Sequence, residues 1–392
     1  MKILLLEDDL GKKESVEAAL LSVDKEIYVE CVDNFMDFLK LVERNVYDLI
    51  IADLVVLRSP RESEPVDMTT QIIDATRDHS NHNFRTPVIA LTRFDTKAED
   101  SFKDLNSKDI TVITFDESDH KWKESLAYKV SSCIPAPEYD VVIVCALKKE
   151  ADAFATAGYI VGETKVVGGL LSRTLQIRTY SCIIVTAPRM GLVSCAVTTT
   201  RAIELFKPKL VCMSGICGGI KGKSKIYDVV IPETCHQNDA GKWEDGVLKP
   251  EVYSVPMDHA FALKLDHLVS QENFPDLVAQ GLKVQKSELP EESEELDFDI
   301  FLAPASSGSA VLADAKIVQS ISGQQRKLSA FEMESFALYE SARLSPLKPL
   351  YFSAKAVVDD GSTSKGDAYH RVACILSAKV VYECIAAGLF VN

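Results

Sequence analysis

No apolar run in this 392-residue chain approaches the roughly 20 residues that a bilayer-spanning helix needs, so no transmembrane segment is expected. The start, Met1-Lys2-Ile3-Leu4-Leu5-Leu6-Glu7-Asp8-Asp9, turns acidic too early for a signal peptide. The ten cysteines include no CxxC pair and no Cys/His spacing suited to zinc. Several of them (Cys145, Cys182, Cys212) sit within apolar stretches, as buried small hydrophobes in a reducing cytoplasm do. Positive charge is also short. Lys and Arg number 43 against 58 Asp and Glu, and a net charge of −15 argues against nucleic acid as a partner. No internal repeat is visible.

What is present suits two domains better than one, and a hydrophobic content of 47% lets each bury a core. The acidity is uneven: residues 1–139 hold 17 basic and 28 acidic residues, the remainder 26 and 30. Over residues 1–130, strand-like stretches at 3–6, 28–31, 47–52, 87–91 and 110–114 alternate with helix-like ones at 12–21, 34–42, 69–77, 97–105 and 122–130. That alternation predicts an α/β domain with a five-stranded parallel sheet covered on both faces. Residues 131–138, with Pro135 and Pro137, read as a linker. A second α/β domain is expected over 139–392. Its strands are expected at 141–144, 174–178, 182–186, 210–214, 228–231 and 350–354, and its helices at 193–206, 331–343 and 370–388. Residues 288–299 carry seven acids in twelve and read as a solvated loop.

In the first domain, Glu7 and Asp8 after the first strand, Asp53 after the third and Thr92 after the fourth should converge at one end of the sheet. Such an oxygen cluster suits a hard divalent cation such as Mg²⁺. An Asp beside it is a nucleophile for a phosphoryl donor. Ile3-Leu4-Leu5-Leu6-Glu7-Asp8-Asp9, Tyr47-Asp48-Leu49-Ile50-Ile51-Ala52-Asp53 and Thr86-Pro87-Val88-Ile89-Ala90-Leu91-Thr92 resemble the response-regulator receiver domains, which are flavodoxin-like. The resemblance implies Asp53 as phosphoacceptor, Glu7, Asp8 and Asp53 around Mg²⁺, and Thr92 as the switch hydroxyl. It also implies an upstream histidine kinase or phosphotransfer protein. One departure stands out. Receivers place a phosphoryl-pairing Lys after the fifth strand, where this chain has Phe115, and an aromatic switch residue where it has Val112.

In the second domain, Phe331-Glu332-Met333-Glu334, where a helix is expected to begin, is followed by Lys355-Ala356-Val357-Val358-Asp359-Asp360 at the end of a strand. A carboxylate on a helix and another at a strand's C-terminal edge meet where α/β sheets bind ligands. These motifs resemble the purine nucleoside phosphorylase/nucleosidase superfamily. By that resemblance Glu334 grips the ribose hydroxyls, Met333 packs beneath the ribose beside Glu332, and Asp359 protonates the departing purine, with Asp360 as the rival acid. Val358 stands where the family has a supporting Ser. Val141-Val142-Ile143-Val144-Cys145-Ala146-Leu147-Lys148-Lys149-Glu150 resembles the opening of methylthioadenosine/adenosylhomocysteine nucleosidases, which makes Glu150 the activator of water. The Gly-Asp-Pro and Arg loop by which phosphorylases hold phosphate has no counterpart here, so hydrolysis is expected, without a cofactor in this domain.

Met213-Ser214-Gly215-Ile216-Cys217-Gly218-Gly219-Ile220 resembles the family's Gly-rich loop and places Ile216, Cys217 and Gly218 along base and sugar. Ala187-Pro188-Arg189-Met190-Gly191 places Arg189 and Gly191 near the sugar. Ser306-Ser307-Gly308-Ser309 resembles the loop before a base-stacking aromatic, with Ser307 at the substrate and Ala310-Val311 in place of that aromatic. Lys148, Lys149, Arg189, Lys221, Lys223 and Lys225 are candidates to meet a 5′ phosphate. A receiver joined to such a domain resembles the effectors of two-component-like anti-phage systems. The resemblance implies a phosphorylation-regulated, cytoplasmic, homo-oligomeric nucleosidase that takes adenine from a purine nucleotide, ATP first. The alternatives are a methylthioadenosine/adenosylhomocysteine-type nucleosidase and a phosphate-dependent phosphorylase.

Overall fold

The computed structural model describes residues 1–93, 96–134, 137–251, 253–291, 293–361 and 367–391, with backbone alone at 96–101 and 247. Pro135 and Ala136 of the expected linker lie outside the described residues. The chain divides into two compact units, Met1–Pro135 and Ala136–Asn392.

The N-terminal unit follows the alternation of its sequence. Strands β1 (Lys2–Leu6), β2 (Tyr28–Val32), β3 (Leu49–Ala52), β4 (Val88–Thr92) and β5 (Ile110–Thr114) alternate with helices α1 (Leu10–Val23), α2 (Phe35–Arg44), α3 (Thr69–Arg77), α4 (Thr96–Ser107) and α5 (Lys121–Cys133). All pairings in this sheet are parallel, in the order β2-β1-β3-β4-β5. This is a doubly wound order whose crevice lies at the C-terminal edge. Alternating residues explain the two cores. Ile3 and Leu5 pack on one face with Leu20, Leu126 and Val130, while Leu4 and Leu6 pack on the other with Phe38 and Ile72. A small ribbon of Val55–Val56 and Val66–Asp67 was not foreseen. Helix α5 runs through Ser131 and Ser132 as far as Cys133, into the stretch read as linker.

The C-terminal unit is built on a ten-stranded mixed sheet. The elements that carry its site are β6 (Val141–Cys145), α6 (Lys148–Thr156), β7 (Leu170–Ile177), β8 (Tyr180–Thr186), α7 (Leu192–Phe206), β9 (Leu210–Gly219), β10 (Val229–Gln237), β11 (Ile300–Ser307), β12 (Ala330–Glu332), α8 (Ser335–Leu344), β13 (Leu350–Asp359) and α9 (His370–Ala386). Strand β6 pairs in parallel with β8 and β9, and β9 with β13, so their C-terminal ends share one edge. Buried residues of α9 such as Val372, Leu376 and Val380 join the main core with Phe352 and Met213.

Three expectations are corrected. Gly215–Gly219 continues β9 rather than forming a loop after it. Phe331 and Glu332 belong to β12, and the helix starts only after Glu334, its N-cap. Ser306 and Ser307 end strand β11. Strand β13 also runs on to Asp359 and carries a bulge. Cys217 pairs with Val357 and Gly218 with Asp359, which leaves Val358 as the extra residue. Of the expected loop 288–299, Glu288 ends a 3-10 turn and pairs with Arg371 at 2.6 Å, while residues 289–299 form no described helix or strand.

Candidate functional site

A cavity of about 390 Å³ opens at the shared edge of β6, β9 and β13. Its wall combines Leu147, Lys149 and Glu150 after β6, Ile216, Cys217 and Gly218 of β9, and Phe331–Glu334. It is completed by Val358 and Asp359 of β13, His370 of α9, Met190 and Ala310–Leu312. Of the expected residues, Asp359, Glu150, Glu334, Glu332, Met333, Ile216, Cys217 and Gly218 line it.

Glu150 is buried and held at both oxygens. Oε2 accepts the Leu147 N–H at 2.9 Å, capping α6 at its N-terminus, and Oε1 accepts the Ile216 N–H at 3.1 Å. Burial, with the nearby Glu334 charge adding to it, pushes its pKa up to about 7 against the pull of Lys355. A carboxylate poised there can take a proton from water near neutrality.

Lys355, which the sequence reading passed over, is the hub. Its side chain is 1% exposed and its Nζ lies 3.1 Å from Glu332 Oε2 and 3.0 Å from Glu334 Oε2. Burial alone would lower its pKa, but Glu334, Glu332 and Glu150 together carry it well above the usual lysine value. Glu334 Oε1 accepts the Gly191 N–H at 2.9 Å. Glu332 accepts from Glu334 N–H, Ser335 N–H and the Ser335 and Ser307 hydroxyls. Burial opposes its charge, yet Lys355 and these donors hold its carboxyl below the usual range. Gly191 and Ser307 thus act on the carboxylates and do not line the cavity. Gly215 is required by packing, because a Cβ there would stand 2.8 Å from Glu150 Oε1 and 3.1 Å from Lys355 Nζ.

In the same wall, Asp359 Oδ1 accepts the Gly361 N–H at 2.8 Å. Asp360, its rival, is exposed and does not line the cavity. In place of an aromatic at Ala310-Val311 the wall holds Phe331, whose ring lies where a Cβ on Gly218 would be. Arg189, expected near the sugar, is exposed and outside the wall. Lys225 pairs instead with Asp297 and Asp299 at 2.9 and 3.2 Å. The basic groups that do line the cavity are Lys149 and His370, whose Nζ and Nδ1 stand 2.5 Å apart, with Asp367 Oδ1 2.8 Å from the same ring nitrogen.

In the N-terminal unit, Glu7 and Asp53 do meet at the C-terminal edge, around the ammonium of Lys12 from α1. Glu7 Oε2 is 2.7 Å from Nζ, Asp53 Oδ2 is in direct contact, and Leu91 O accepts at 2.7 Å. Asp8 Oδ2 accepts the Leu57 N–H at 3.0 Å, and Thr92 is buried at the end of β4. Burial pushes the Glu7 pKa up to about 7. So arranged, these acids do not fit Mg²⁺. An ammonium stands between two of them, and among the described residues no three His, Cys, Asp or Glu side chains are grouped to hold a metal ion.

Residues 140–369 match the sequence profile of the phosphorylase superfamily. The y4jS protein of Sinorhizobium fredii, described as uncharacterized, is 26% identical over 417 residues, covering 98% of each chain. The ATP nucleosidase Cap17 of Escherichia coli is 21% identical over 203 residues, which is 50% of this chain but only 40% of that protein. A 5′-methylthioadenosine/S-adenosylhomocysteine nucleosidase of an Exiguobacterium strain is 26% identical over 196 residues, 49% of this chain and 75% of that one.

Proposed function

Because the chain belongs to the phosphorylase superfamily, we propose that its C-terminal unit is an N-glycosidase that releases a purine base by hydrolysis. The observation that carries the reading is one cavity lined by Glu150, Glu334 and Asp359, with Lys355 buried against Glu334. Breaking an N-glycosidic bond builds positive charge on the sugar and negative charge on the leaving base. Glu334 accepts from the ribose hydroxyls, and its ion pair with Lys355 holds it in place for that purpose. Glu150 takes the proton of the attacking water. Asp359 gives a proton to the base, with Phe331 available to stack on it. Two carboxylates at the nucleophile's end favour neutral water over anionic phosphate.

The finer reading takes the substrate as a purine nucleotide, ATP first, in anti-phage defence. It is motivated by the likeness to Cap17 and by Lys149 and His370 in the wall. Ala310, Val311 and Leu312 in the same wall favour the second reading, an apolar 5′ group of the methylthioadenosine type. The N-terminal unit, in this proposal, is a receiver-type regulator with Asp53 as phosphoacceptor, Thr92 as switch hydroxyl and a histidine kinase or phosphotransfer protein upstream. The parallel sheet and its acidic edge support it, and a homo-oligomer is the expected assembly. Incubation with ATP, AMP, adenosine and methylthioadenosine, with and without inorganic phosphate and acetyl phosphate, tests all of this by chromatography of free base. Release that requires phosphate would replace hydrolysis by phosphorolysis. Release from methylthioadenosine alone would remove the nucleotide, and equal rates in Asp53→Asn after acetyl phosphate would remove the switch.

A further inference from the structure

We infer that the acidic edge of the N-terminal sheet carries its own cation: the Lys12 ammonium takes the place of a divalent ion, and the edge binds no metal while it is there. This holds whether or not Asp53 is a phosphoacceptor. An ammonium has three N–H donors, and Lys12 Nζ meets three acceptors, Glu7 Oε2, Asp53 Oδ2 and Leu91 O. Its side chain is 1% exposed and that of Glu7 is 2%, so this is an ion pair out of water. A buried charge is tolerated when paired and fully hydrogen-bonded, as here. The placement is built into α1: Asp9 caps the helix by accepting the Lys12 N–H at 3.0 Å, which sets the first turn against the strand ends.

Three more oxygens of the cluster are also committed. Asp8 Oδ2 accepts from Leu57, Asp53 Oδ1 from Val55 at 3.2 Å, and Glu7 Oε1 from Asp9 at 3.1 Å, all backbone N–H groups. The ring of Phe115 lies 5.3 Å from Lys12 Nζ. An aromatic face attracts an ammonium that has shed its water. Mg²⁺ dehydrates reluctantly and keeps several waters, for which such a ring supplies no acceptor. Phe115 and Lys12 therefore act together. A phosphoryl group arriving at Asp53 Oδ2 has to displace Lys12.

Trp122 reports on the site, because its ring is 4.8 Å from that of Phe115. The chain has two tryptophans, so full-length protein carrying Trp243→Phe has Trp122 as its single tryptophan, read by excitation selective for indole. Titration of this protein with millimolar Mg²⁺ or Mn²⁺ is expected to leave its emission and its melting temperature unchanged. The same protein with Lys12→Met, and separately Lys12→Gln, is expected to gain a saturable response to both ions and to melt higher in their presence. A Lys12 variant that folds only with the metal present counts as the same result. A saturable millimolar response with Lys12 intact would overturn the inference. So would two folded Lys12 variants that ignore both ions, since the ammonium would then not be standing in a cation's place.

Discussion

Lys355 Nζ and Glu334 Oε2 form an ion pair of 3.0 Å in which the lysine is 1% and the glutamate 7% exposed. The same ammonium serves Glu332 and lowers the pKa of Glu150. One cation therefore faces three carboxylates in the candidate site. Lys355→Met leaves buried carboxylates unpaired and is expected to cost about 3–5 kcal/mol of stability. Its base release, if measurable, should need a higher pH than the wild type, because the charge that favours ionised Glu150 is gone. A melting curve and a pH–rate profile check the two halves separately.

Glu150 gives activity and stability opposite slopes. As a base it must be ionised, so kcat/KM for base release is expected to rise with pH through about 7. Its folded pKa lies above the unfolded carboxylate value of 4.5, so the folded state binds more protons between that value and about 7. Stability from this group is therefore greatest at low pH and is lost as pH rises through that window. Glu150→Gln is expected to abolish base release and to flatten this part of the melting temperature against pH, measured beside the wild type.

Asp359→Asn removes the proton donor while keeping shape, and is expected to lower kcat for base release by roughly 10²–10⁴-fold. Asp360→Asn is expected to stay near the wild-type rate. Steady-state assays of the two variants decide between the neighbouring acids, and equal losses would mean that the site has been assigned to the wrong carboxylate.

Lys149→Ala and His370→Ala test the nucleotide reading. Each is expected to raise KM for ATP by roughly tenfold, the equivalent of about 1.4 kcal/mol, while leaving KM for methylthioadenosine near its original value. A parallel rise for both substrates would mean that these residues hold the mouth of the cavity together and do not meet phosphate.

The N-terminal elements were legible to within a few residues because each apolar run is bounded by polar turns and repeats the same strand–helix period. The second unit was harder where glycine was taken as punctuation. Gly215, Gly218 and Gly219 look like a loop, yet they continue β9. At Gly215 the missing Cβ admits Glu150 and Lys355, and at Gly218 it admits the ring of Phe331. Lys355 had a signal that went unread: a single cation between Ala354 and Ala356 in a strand buried on both faces is costly unless carboxylates pair with it. Lys12 had none, since a lysine in the first turn of an amphipathic helix is usually solvated. Its role depends on contacts with Asp53 and Leu91, far away in sequence.

The bulge at Val358 settles by counting which of two adjacent aspartates faces the cavity. Neighbouring residues of a regular strand point to opposite faces, but Val358 and Asp359 both line the wall, and Asp360 is left outside. A second acid, Asp360, follows one step downstream. Loss of a single codon from the Val357–Val358 pair, with the bulge retained, would advance Asp360 into the position that Asp359 vacates. The same deletion would seat Asp359 where Val358 now lies 5% exposed in the main core, so the chain would keep its acid at the cavity only by burying another carboxylate beside it.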